Sequence, residues 1–60
     1  MKTIQFAKLT ETNSVEVIRT VEVTEQELNL VLELQGYTQN GHNQYTATEN
    51  FETKIIRVLN

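Results

Sequence analysis

Apolar residues recur along this chain with two different periods, and the change of period divides it into strands and a helix. From Lys2 to Leu9 the pattern alternates, with Ile4 and Phe6 on one face and Ala7 and Leu9 on the other, as in a strand with apolar groups on both sides. Val15 to Val23 alternates more cleanly, setting Val15, Val17, Val21 and Val23 on one face and Glu16, Ile18, Thr20 and Glu22 on the other. Between the two runs lies the polar cluster Thr10-Glu11-Thr12-Asn13-Ser14, whose Asn and Ser can bond nearby backbone groups, so a hairpin is expected.

The next segment changes period. Thr24-Glu25-Gln26-Glu27 has the spacing of a capping box, in which Thr24 accepts from the Glu27 amide and the Glu27 carboxylate accepts from the Thr24 amide. Gly36 can take the left-handed conformation that closes a helix, which places Tyr37 where a Schellman motif would bring it against Leu32. Within these limits, at about 100° per residue, Leu28, Val31 and Leu32 form one stripe, and Leu30 and Leu34 widen it to an apolar arc of roughly 200°. That arc exceeds what one sheet covers. Leu28, Leu30, Leu32 and Leu34 also alternate as a half-buried strand would, so periodicity alone admits an all-β meander. The capping box, the terminal Gly and the Leu, Glu and Gln content favour the helix.

After the helix, Tyr37-Thr38-Gln39 leads to Asn40-Gly41, the dipeptide best suited to a two-residue hairpin turn. His42 to Thr48 then returns as a polar, edge-like strand with Tyr45 and Ala47 on one face, and Glu49-Asn50 turns the chain into the β-prone run Phe51 to Leu59. The expected fold is α+β: a single ββαββ domain over residues 1–60, an antiparallel sheet with one helix packed on one face.

Size sharpens this picture, because a chain of 60 residues buries only about 60% of the surface its unfolded form exposes. Such chains draw on disulfides, metals or self-association, and here there is no Cys and a single His. Self-association is the remaining route. Neither sheet face is purely polar: Leu9, Ile18 and one of Ile55 and Ile56 lie opposite the faces bearing Phe6, the valines and the other isoleucine. Ile18, Leu30 and Leu34 are therefore the expected contacts of a homodimer or of an unidentified protein partner.

The net charge of -3 disfavours a nucleic-acid binder but does not mark an acidic mimic. Met1-Lys2-Thr3-Ile4-Gln5-Phe6 lacks the apolar run of a signal peptide, and no window approaches the roughly 20 apolar residues of a membrane span, so a cytoplasmic location is expected.

No catalytic set emerges. His42 stands beside the Asn40-Gly41 turn without further metal ligands in sequence, and Ser14 belongs to a turn cluster. Glu25 and Glu27 suit a first helical turn, while Glu49 and Glu52 flank a turn. The expectation is a non-enzymatic protein with no cofactor and no metal, binding and modulating a larger macromolecule as an accessory regulator or inhibitor. In size and in lacking a catalytic set it is similar to the short accessory proteins of bacteriophages and other mobile elements. The alternative is a small nucleic-acid-binding module, because Lys2, Lys8, Arg19, Lys54 and Arg57 all fall on expected strands. Arg19, Lys54 and Arg57 would then hold phosphates while Tyr45 stacks on a base.

Overall fold

A computed structural model describes residues 1–59 of the chain. The elements run β1 (Lys2–Leu9), β2 (Val15–Val23), α1 (Glu25–Leu34), β3 (Thr38–Gln39), β4 (Gln44–Glu49) and β5 (Glu52–Val58). The fold is α+β, with one helix and a five-stranded antiparallel sheet among the described residues, in the order β2-β1-β5-β4-β3. The order is therefore ββαβββ rather than ββαββ. The additional strand is β3, whose two residues pair with β4 as Thr38↔Thr46 and Gln39↔Tyr45.

The helix forms where its local signals place it. Glu27 N–H donates to Thr24 Oγ1 at 3.1 Å and Thr24 N–H donates to Glu27 Oε1 at 3.0 Å, so both halves of the capping box are made. At the other end Gly36 adopts φ +70°, Tyr37 N–H donates to the Leu32 carbonyl at 2.9 Å and Gly36 N–H to that of Glu33 at 3.3 Å. These are the two bonds of a Schellman closure.

Helix α1 carries the chain from the β2 edge to the β3 edge, a span of about 19 Å at ~4.8 Å per strand. Ten residues make a rod of only about 15 Å, so it covers part of a sheet whose longest strand, β2, has nine residues. Beneath it lies the core: Ile4, Ile56 and Leu28 are buried together, with Phe6, Val21, Val23, Val31, Leu32, Tyr37, Tyr45 and Val58 packed around them. The register pairs Ile4 with Val21 and Val58, and Ile56 with Phe6 and Tyr45, which makes Ile56 the core isoleucine.

Ile55 points to the other face. There it pairs with Ala7 and Thr46, while Ala7 pairs with Val17. Both Ala7 and Ile55 are buried although no second layer covers them among the described residues. They sit on the inner strands β1 and β5, with neighbouring rows on both sides.

Three expectations are corrected by strand geometry. First, the valines of β2 do not share a face. The register steps from Phe6↔Arg19 to Ala7↔Val17, leaving Ile18 as the extra residue of a β-bulge. Val21 and Val23 consequently join the core, Val15 and Val17 go to the uncovered face, and Ile18 turns toward the helix side. Second, β3 and β4 are joined by the four residues Asn40, Gly41, His42 and Asn43, the loop closed by Asn40 N–H donating to the Gln44 carbonyl at 2.8 Å. The left-handed positions are Gly41 and Asn43, at φ 120° and 60°, so Asn40-Gly41 does not form a two-residue turn. Third, Phe51 is not in β5. Glu49 pairs with Glu52, and Asn50 and Phe51 form the intervening turn with φ of 52° and 65°.

Candidate interaction surface

A groove lies on the helix side of the sheet, beside the C-terminal half of α1. The groove has a volume of about 330 Å³; Val31, Gln35 and Tyr37 line one wall and Phe6, Ile18 and Arg19 the other, with Lys8, Glu52 and Lys54 toward the sheet's end. Its floor is apolar. The Arg19 guanidinium lies 5.1 Å from the centroid of the Phe6 ring, within range of a cation–π contact.

The three residues expected to make contacts are all exposed: Ile18 at 59%, Leu30 at 56% and Leu34 at 80%. Their placement follows from the bulge and the helical repeat. Ile18, displaced by the bulge, forms one lip of the groove. Val31 forms the opposite wall; Leu34 lies one helical turn beyond it, and Leu30 one turn before Leu34. An apolar band thus runs from Ile18 across the groove to Val31 and onto the outward side of α1. The other face carries a less exposed cluster, where Leu9, Val15 and Val17 lie beside Ala7 and Ile55. The sequence pattern could not reveal this cluster, because the bulge creates it.

The nucleic-acid set is divided by the register. Arg19 pairs with Phe6, Tyr45 with Ile56, and Lys54 with Ala47, which places all three on the helix side. Arg57 pairs with Gln5 and Gln44 on the opposite face. Tyr45 is packed against the core cluster and Arg19 is over Phe6. Lys54 Nζ donates to Glu49 Oε2 at 3.0 Å.

The displaced proton affinities have local structural causes. The Glu27 carboxyl is held below its usual value by the hydrogen bond from the Thr24 backbone, aided by the Thr24 side chain. Partial burial pushes the Tyr37 phenol up. The Lys54 ammonium is raised by its hydrogen bond to Glu49. Ser14 is engaged in its own turn, where its N–H donates to Thr10 Oγ1 at 3.1 Å. His42 occupies the β3–β4 loop, and β4 runs from that loop to the opposite end of the sheet, where the Ser14 turn lies. Among the described residues, no group of three or more His, Cys, Asp or Glu side chains is placed to hold a metal ion. No helix among them is long and apolar enough to cross a membrane.

No protein-family model matches the chain, and no curated protein or solved structure matches it.

Proposed function

We propose that this chain is a non-enzymatic interaction protein that pairs with a second copy of itself and, in that form, occupies a surface on a larger macromolecule in the cytoplasm as an accessory regulator or inhibitor. The observation that carries this reading is the set of exposed apolar residues Ile18, Leu34 and Leu30, joined through half-buried Val31 at the groove. Large contiguous apolar patches on small proteins mark interaction sites. A short chain also has more to gain from such burial than a large one.

Self-association by side chains agrees with the character of the sheet edge. Strand β2 is an outer strand, but the bulge at Ile18 and the charges of Glu16, Arg19 and Glu22 discourage pairing of its backbone with another chain.

Sedimentation equilibrium of the wild type beside Leu30→Asp tests this reading. The wild type should sediment as twice the 6.9 kDa chain mass at high micromolar concentration, and the variant as one chain. A wild type that remains monomeric there would refute the pairing.

A further inference from the structure

Phe51 is fully exposed, at 105%, on the turn between β4 and β5, and its backbone adopts φ 65°. A bulky L-residue is rare in that region, because its Cβ crowds the following carbonyl; Gly or Asn is the usual occupant. Asn50 fits its own position at φ 52°; Phe51 does not. The chain therefore holds an aromatic ring in solvent on a backbone conformation that disfavours it. Neither burial nor local geometry accounts for that choice, and outliers of this kind are a guide to function.

The surroundings indicate what the ring meets. The turn lies at the same end of the sheet as the β1–β2 turn, and Glu11, Glu16 and Glu52 share its neighbourhood with one base, Lys8, so acids outnumber bases there. None of these three is in an ion pair among the described residues, where the sole pair joins Lys54 and Glu49. The groove beside α1 has the opposite balance, with Lys8, Arg19 and Lys54 against the one acid Glu52. Phe6 and Val31 give it apolar walls, its Arg19 has no carboxylate partner among the described residues, and its volume of about 330 Å³ exceeds the roughly 150 Å³ in which a benzene ring is accommodated. Knob and groove share Lys8 and Glu52 at their border, and Phe51 is three residues from Lys54 along the chain, about 10 Å in extended backbone.

We infer that Phe51 is the anchor of self-association, inserting into the groove of a second copy between Ile18 and Val31, with its flanking glutamates facing that copy's Arg19. The inference rests on the pairing proposed above and adds its mode. Because knob and groove adjoin on one molecule, two copies can exchange Phe51 reciprocally about a two-fold axis, closing the assembly instead of propagating it. Each groove is then completed by a residue of the other chain.

The test compares Phe51→Gly with Leu34→Asp by sedimentation. Phe51→Gly should weaken self-association by at least about 30-fold, the effect of truncating an aromatic hot spot. The same substitution in the monomeric Leu34→Asp background should raise the melting temperature by roughly 4–8 °C, because Gly relieves the turn. A merely structural Phe51 would not move the two readouts in opposite directions. If Leu34→Asp dissociates the wild-type pair while Phe51→Gly leaves association unchanged, the anchor is overturned and the pairing stands. An unchanged or lower melting temperature for Phe51→Gly also overturns the anchor, and a monomeric wild type overturns both.

Discussion

Leu28 and Leu34 are the same residue type on the same helix, but one faces the core and the other solvent. Leu28 is 4% exposed, so truncation to Ala deletes buried carbon worth about 2.4 kcal/mol at ~0.8 kcal/mol per methylene. Incomplete collapse around the space left behind brings the loss to about 2.5–4 kcal/mol. That is a large part of the total stability of a chain this size, roughly 3–9 kcal/mol at ~0.05–0.15 kcal/mol per residue. Leu34 is 80% exposed, so within one chain only about a fifth of the same transfer term applies, ~0.5 kcal/mol. Urea unfolding followed by circular dichroism, at a series of protein concentrations, measures both. Leu28→Ala should lose its stability at every concentration. Leu34→Ala should stay within ~0.5 kcal/mol of the wild type when dilute and fall further behind it as concentration rises, because the wild type gains association free energy that the variant lacks. Equal losses for the two variants in dilute solution would refute the reasoning, since Leu34 would then be covered by its own chain.

Other outcomes follow from particular bonds. Gly36→Ala should cost about 1 kcal/mol although nothing lies within 4 Å of the added Cβ, because the whole penalty comes from φ +70°; thermal unfolding reads it. Thr24→Ala should cost about 1 kcal/mol by removing one half of the capping box, measured in the same way. Glu27 has its proton affinity lowered on folding, so its contribution is present above the usual carboxylate value of 4.5 and is lost as pH falls through its folded value. Glu27→Gln should therefore flatten the acid limb of a stability–pH curve and leave its slope near neutrality unchanged. Labelled oligonucleotides should not bind at low salt, given that Arg57 lies on the opposite face from Arg19, Tyr45 and Lys54; salt-sensitive binding would restore the nucleic-acid alternative.

The helix was legible in the sequence because its signals are local. Thr24 and Glu27 are three residues apart, Gly36 stands at the stop, and neither depends on where the strands go. The exposed leucines followed from the same helical geometry. What the sequence concealed depends on pairing between strands. The bulge at Ile18 is a mismatch between β1 and β2, and no residue of β2 announces it by type, so the even alternation of valines pointed to a single face. The choice between Ile55 and Ile56 needed the register of β5 against β1. Phe51 read as strand because aromatic residues favour strands, and Asn50 alone hinted at left-handed backbone. The split of Arg57 from the other basic residues is likewise a matter of register.

The central claim is that a second copy covers the band formed by Ile18, Val31 and Leu34. An isotope-filtered NOE experiment on an equal mixture of labelled and unlabelled chain tests it most directly. Cross-peaks between chains from the Leu34 and Ile18 methyl groups are the predicted result. A sample that tumbles as a single 6.9 kDa chain at millimolar concentration, with no contacts between chains, would contradict it.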